Sequence, residues 1–401
     1  MLIRQSNQHA TQRGLTLIEL LVGIALGILL VGIMGTMYLT SKLSFNTNTQ
    51  VARVQENIRF AAQFLQRDIR TSSFSECGAT TELRNRLDQA SDFYAEATTR
   101  GVFGWEFSNS ASDDSISLDY TQLNPDASRN EVISARNANA GSANDWQDAN
   151  GNSLPDLIAG FNPLQGSDIL MLASEYKTDI VLDNVLNTAD PVLQIDSGGA
   201  NIGRGHIVKV GGCLTQEKFQ NSSAANGQTL ERSNAGLGGF QPANNGAMLA
   251  TPWRYPFTEQ DPVFAEVLKI YYVGTGTAGL PSLFRYTSEC GLSPINSGCS
   301  EIENAELIEG IENLQVAYGE DVDNDGTPDV YRTAAGVADF AAVVAVRIGI
   351  LARSIQATED LDAETYTLLD EITVDPPDLR LIRYANNMTL FLRNRGGARA
   401  P

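Results

Sequence analysis

Asp321, Asp323, Asp325 and Asp329 stand at positions 1, 3, 5 and 9 of one short stretch. Gly326 sits at position 6 for a sharp turn, and the Thr327 backbone carbonyl falls at position 7. Alternating oxygen donors of this kind are what a hard cation requires, and the expected cofactor is a structural calcium ion. Position 12, where a helix-loop-helix site would place a bidentate glutamate, is Arg332. The expectation is therefore an incomplete calcium loop between strands, weighed against an acidic Asx-turn hairpin without metal. A fainter echo places Asp148, Asn150, Asn152 and Asp156 at the same positions, with Ser153 where the glycine would be. An ordinary polar turn is the favoured reading there.

The next residue with chemistry is Glu19, the only charge between Leu15 and Leu39. About 20 apolar residues suffice to cross a hydrocarbon core, and a carboxylate inside such a span is costly and reads as functional.

Cys77, Cys213, Cys290 and Cys299 all follow the apolar run, and an even count in an exported region predicts two disulfides. Cys290 with Cys299 is the favoured pair because the loop between them is short and holds Gly291, Pro294 and Gly298, which leaves Cys77 with Cys213. Metal binding is the rival reading, but no C-x-x-C occurs and His206 is the only histidine outside the leader that could assist. As His206 opens a strand-like run, a structural role is expected for it. No G-x-S-x-G, G-x-x-x-x-G-K or H-E-x-x-H is present, and acidic pairs such as Glu301 with Glu303 read as a solvated face, so no enzyme is expected.

Of 401 residues 42% are hydrophobic, enough for a sizeable core beyond the apolar run, and the net charge of -20 opposes attraction to nucleic acid. A local basic patch from Arg383 to Arg399 is the one feature that could reverse this. Arg4 and Arg13 precede the apolar run, so by the positive-inside rule the N-terminus stays cytoplasmic and the rest is exported.

These groups need elements to hold them. Beyond Leu39, Val51, Val54, Ile58, Ala61, Leu65 and Ile69 recur every three or four residues, while Arg53, Gln55, Glu56, Arg59, Gln63, Arg67 and Asp68 fill the other faces. One helix from Leu15 to about Arg70 would run about 80 Å, half in membrane and half packed on a head. Residues 71–165 and 211–245, rich in Ser, Asn, Asp and Gly, read as polar insertions. Strands are expected at 168–172, 180–182, 206–210, 267–273, 283–286, 314–318 and 343–351, in one largely antiparallel sheet.

Arg13-Gly14-Leu15-Thr16-Leu17-Ile18-Glu19-Leu20-Leu21 resembles the class III signal of type IV prepilins and type II secretion pseudopilins. The resemblance implies that a membrane aspartyl peptidase cuts between Gly14 and Leu15, that the new N-terminal Leu15 is methylated, and that Glu19 is the fifth mature residue. The family usually has phenylalanine where Leu15 stands. Glu19 would then neutralise the N-terminal amine of its own or an adjacent subunit during filament entry. Leu314-Gln315-Val316-Ala317-Tyr318-Gly319, the acidic turn after it, the run from Val343 to Leu351, and the closing Leu392-Arg393-Asn394-Arg395 resemble the PilW family of minor pilins.

Together these imply an α+β type IV pilin fold: a cleaved leader at 1–14, a long helix at 15–70 that is transmembrane to about 39, and an exported head at 71–401. The implied partners are other minor pilins, the major pilin, the prepilin peptidase, the inner-membrane assembly platform and a tip adhesin. The implied location is the inner membrane and then the pilus tip or cell surface. The implied function is initiation of pilus assembly. A type II secretion pseudopilin is the nearest alternative, and a ligand-binding adhesin or DNA-uptake pilin the alternative of another class.

Overall fold

Leucine, isoleucine, valine and glycine without an internal proline carry the chain from Leu17 into a single helix, α1 (Leu17–Thr71), of 55 residues. The computed structural model describes residues 16–72, 82–88, 101–107, 115–117, 143–183, 187–195, 202–223, 228–293, 299, 302–358, 364–369, 372–375 and 380–392. It divides into two units, Met1–Val51 and Ala52–Pro401. In the first, residues 16–46 are exposed along all faces of a helix long and apolar enough to cross a membrane. In the second, Val54, Ile58, Ala61, Leu65 and Ile69 form the buried stripe that their spacing predicts. Burying each of Val54, Ile58, Leu65 and Ile69 stabilises by about 1.5–3 kcal/mol relative to exposure.

The remainder of the second unit is β-rich. Its largest sheet runs β1 (Glu82–Asn85), β8 (Thr215–Gln220), β7 (Ile207–Val210), β10 (Val263–Thr275), β5 (Ile169–Lys177), β2 (Val102–Phe107) and β4 (Trp146–Gln147). From β10 it branches through β11 (Pro281–Ser288) to β12 (Ile302–Glu309). A second sheet has the order β14 (Val330–Arg332), β13 (Ile311–Glu320), β15 (Val343–Arg353), β18 (Arg383–Phe391). Smaller sheets join β16 (Tyr366–Leu368), β17 (Ile372–Asp375) and β3 (Ser115–Ser117), and β6 (Val192–Gln194) with β9 (Thr229–Glu231). Among the described residues, the strand pairings are antiparallel except β1 with β8 and β17 with β3. A long apolar helix with a β-rich, mostly antiparallel remainder is an α+β architecture.

Three expectations are corrected. The single expected sheet is several sheets. The segment 180–182 contributes only an isolated bridge, Leu182 to Ile195. The two polar insertions both supply core strands. Within 71–165, β2 pairs with β5 and buries Phe103 and Trp105. Within 211–245, β8 (Thr-Gln-Glu-Lys-Phe-Gln) is buried from Gln216 to Gln220. Its polarity misleads because its charges are paired inside: Glu217 accepts from Arg86 Nε at 2.5 Å, and Lys218 pairs with Glu266.

The two large sheets are stitched together at Asp168, just before β5. Its Oδ1 accepts from the Phe107 amide of β2 at 3.1 Å, and its Oδ2 accepts from the Val316 amide of β13 at 2.8 Å. Gly104 keeps this joint close, since a Cβ there would overlap the Tyr318 hydroxyl that donates to Phe103 O. Burial, reinforced by Glu106, outweighs the two amide donors and pushes the Asp168 carboxyl up to about 8. Burial also raises Glu106, and burial with the two carboxyls pushes Tyr318 well above the usual phenol range.

Between pH 4 and 8 the folded chain thus holds a proton at Asp168 that the unfolded chain has lost. Stability is expected to fall as pH rises through this window, by up to about 1.4 kcal/mol per pH unit. Chemical denaturation of the detergent-solubilised protein from pH 5 to 8 checks this, and Asp168→Asn should flatten the slope. Stability rising with pH, or an unchanged slope in the variant, would contradict it.

Candidate functional site

At the start of α1 the sequence Thr16-Leu17-Ile18-Glu19 forms a reciprocal cap. The Thr16 amide and hydroxyl each donate to Glu19 Oε2 at 2.9 Å, and the Glu19 amide donates to Thr16 Oγ1 at 3.4 Å. This is a capping box, which satisfies amides that the first helical turn leaves open. The T-x-x-E spacing before an apolar run was its signal, and sequence reasoning focused on the charge of Glu19 did not use it. Gly14 and Leu15 lie outside the described residues.

Further along α1, Asp68 fixes the head-packing half of the helix to the large sheet. Its Oδ1 accepts from Lys269 Nζ at 2.9 Å and Arg67 Nε at 3.1 Å. Its Oδ2 accepts from Tyr271 Oη at 2.5 Å and from an Arg285 guanidinium nitrogen at 3.4 Å. Asp68 is buried, not on an outer face as expected.

The acidic loop connects β13 to β14, as a hairpin between strands. Asp321 is buried and accepts through its two oxygens from the amides of Asp325 at 3.0 Å and Gly326 at 2.9 Å. Asp323 Oδ1 accepts from the Asp325 amide at 3.1 Å. The Thr327 hydroxyl and amide both donate to Asp325, holding its carboxyl below the usual carboxylate range. Asn324 and Gly326 take left-handed φ values of 62° and 91°, which bend the loop so that carboxylate oxygens of Asp321, Asp323 and Asp325 lie within 4.8 Å of one another. Asp329 Oδ2 instead accepts from the amides of Val322 at 2.7 Å and Asp323 at 3.3 Å. Arg332 pairs with the buried Glu320 at 2.8 Å.

In the fainter loop, Asp148 is buried and Oδ1 accepts from the amides of Asn150 and Asn152, each at 2.8 Å. Its Oδ2 accepts from the Asn152 side-chain amide at 3.0 Å. Asp156 is exposed at the start of α2 (Asp156–Ala159).

Cys290 and Cys299 form the expected disulfide, with an S–S distance of 2.01 Å. Cys213 is also disulfide-bonded, and Cys77 lies outside the described residues. His206 is buried beside the first bridge, with Nδ1 3.5 Å from Cys290 Sγ.

The basic patch expected from Arg383 starts in the core. Arg383 is buried and donates to both oxygens of Glu312, at 2.7 and 3.1 Å, so it presents no charge to an outside partner. Arg393, Arg395 and Arg399 lie outside the described residues.

The family model for the type IV pilus-assembly protein W, PilW, matches residues 270–394. The match runs from within β10 past β18, and so takes in the whole second sheet, the acidic loop and the Glu312–Arg383 pair. This part of the chain is similar to PilW. Comparison with curated proteins and with solved structures gives no match.

Proposed function

We propose that this protein is a minor pilin of the type IV pilus that takes part in starting pilus assembly. The observation that carries the reading is the presence, in one chain, of a PilW-like region at 270–394 and an N-terminal helix of membrane-crossing length whose distal half is built into a β-rich head. That combination is what the type IV pilin fold would require. The N-terminus is cytoplasmic and the head periplasmic in this reading. The prepilin peptidase cuts between Gly14 and Leu15, Leu15 is methylated, and the mature chain joins other minor pilins, the major pilin, the assembly platform and a tip adhesin at the pilus tip. Deleting the gene in the native host is expected to abolish surface pili and twitching while secretion continues. Lost secretion with normal pili would assign the chain to the type II pseudopilins instead, and lost adhesion with normal pili would make it a ligand-binding adhesin.

Calcium has a structural part in this proposal. Asp321, Asp323 and Asp325 would hold it, and the ion would neutralise three carboxylates gathered at one turn. With calcium at about 100 times its dissociation constant, the full chain in detergent should gain about 2.7 kcal/mol. Asp323→Ala and Asp325→Ala should each remove most of that gain in a thermal-shift titration. A wild-type protein whose unfolding ignores calcium would refute the site.

A further inference from the structure

We propose that the free edge of β18, with the groove between it and α1, is a docking site for an extended acidic segment of a partner protein, which adds to the four-stranded second sheet as a further strand. The groove has a volume of about 470 Å³ and lies between Gln55, Arg59, Gln63 and Gln66 of α1 and residues 384–386 of β18. Its lining is largely side-chain amides, from three glutamines of α1 and from Asn386. Amides offer donors and acceptors together, which suits a peptide backbone better than an apolar side chain.

β18 pairs with β15 in unbroken register from Arg383 to Phe391, and among the described residues no strand pairs with its other side. The Leu392 amide donates to Val344 O at 2.9 Å, and the Ser354 amide donates to Ile382 O at 2.7 Å. Backbone direction alternates along a strand, so the even-numbered residues face β15, and the N–H and C=O of Ala385, Asn387 and Thr389 point away from it. Both faces of β18 are already in use. Leu390 and Met388 pack in the core on one, and on the other the Asn387 side chain accepts from the Leu369 amide at 3.0 Å and donates to Thr367 O at 3.3 Å. The edge is what remains open. Proteins blunt such edges with charges, prolines or bulges, and residues 384–391, Tyr-Ala-Asn-Asn-Met-Thr-Leu-Phe, contain no charge or proline and no break in register. An unguarded edge beside an amide-lined groove is the arrangement that strand addition uses.

Charge selects the occupant. Arg59 lines the groove, and Arg70 stands one turn beyond Gln66 on the same stripe of α1, exposed like Arg59. Glu56 meets Arg59 at 3.9 Å, but both side chains are 58% exposed, and so long and solvent-screened a pair leaves Arg59 available to a partner. Asp68, the other acid on the head-packing half of α1, is buried and held by Lys269, Tyr271 and Arg285. The groove is thus bordered by positive charge on a chain whose net charge is -20. A segment carrying carboxylates complements it, whereas a second copy of the chain would bring like net charge to like.

The test is site-specific photo-crosslinking of the full chain in cells of the native host. The photo-reactive residue p-benzoylphenylalanine replaces Gln63 on one wall of the groove or, separately, Tyr384 on the other. The expected result is that both positions crosslink to one segment of a different protein, and that peptide mass analysis finds this segment net negative. Arg59→Glu should lower the yield about tenfold or more. Ala385→Pro removes a donor from the open edge and leaves the ladder to β15 intact, and it should lower the yield as far. Arg53→Glu makes the same charge change on α1 outside the groove lining and should leave the yield within about twofold. If Ala385→Pro does not fold, Arg59→Glu decides alone. No crosslink from either position, a crosslink to a second copy of this chain or to a segment without net negative charge, or a yield unmoved by Arg59→Glu overturns the proposal.

Discussion

Asp68→Ala is expected to destabilise the folded chain by about 3–5 kcal/mol, the range for removing one partner from a buried charge cluster. The Asp68 carboxylate is the common acceptor for Lys269, Tyr271, Arg67 and Arg285. The Lys269 and Arg285 side chains are only 19% and 17% exposed, so without the carboxylate two cations face each other with little solvent to screen them. Burial raises the Asp68 carboxyl, and the Tyr271 hydroxyl with the Lys269 ammonium more than offsets it, leaving it below the usual carboxylate range. The sign follows from that depression: the contribution is present above about pH 4, where an unfolded aspartate is ionised, and is lost as pH falls through the lower folded value. Asp68→Asn should keep the Tyr271 contact and lose the ionic part, falling between wild type and alanine. Urea denaturation of the detergent-solubilised chain measures this, and a loss below about 1 kcal/mol for Asp68→Ala would contradict the anchor.

Asp68 also marks where the sequence stopped being legible. The apolar stripe was readable because Val54, Ile58, Ala61, Leu65 and Ile69 keep helical spacing and the pattern needs no knowledge of the partner surface. Position 68 is three residues past Leu65 and falls on that same stripe, so the signal existed, but a lone aspartate reads as solvent-facing until Lys269, Tyr271 and Arg285 are brought to it from over 200 residues away. The same limit hid β8, whose glutamate and lysine are buried only because Arg86 and Glu266 neutralise them. It hid the neighbourhood of His206 as well. The β-branched runs at Val267 and Val343 were legible as strands because they are apolar enough to name their environment. The acidic loop was legible as a turn between strands, since aspartate, asparagine and glycine fix backbone geometry locally. Which of its carboxylates face one another and which serve the turn was not, because that depends on the Val322 and Asp323 amides meeting Asp329.

At Glu19 the structure adds a second role to the charge that the sequence pointed to. The carboxylate completes the capping box with Thr16, and in the proposed assembly it also meets the amine that cleavage exposes on Leu15. Glutamine serves as well as glutamate at that position of a capping box, so Glu19→Gln keeps the cap and removes only the charge. Thr16→Ala does the reverse, costing about 1 kcal/mol of helix end and no charge. If filament entry depends on the charge, the two variants must part company: Thr16→Ala should enter, and Glu19→Gln should remain in the membrane although it is made and cleaved normally. The direct measurement is the amount of this protein in pili sheared from cells expressing wild type, Thr16→Ala or Glu19→Gln. The account predicts near-normal amounts for the first two and at least a tenfold deficit for Glu19→Gln; recovery of Glu19→Gln at the wild-type amount would contradict it.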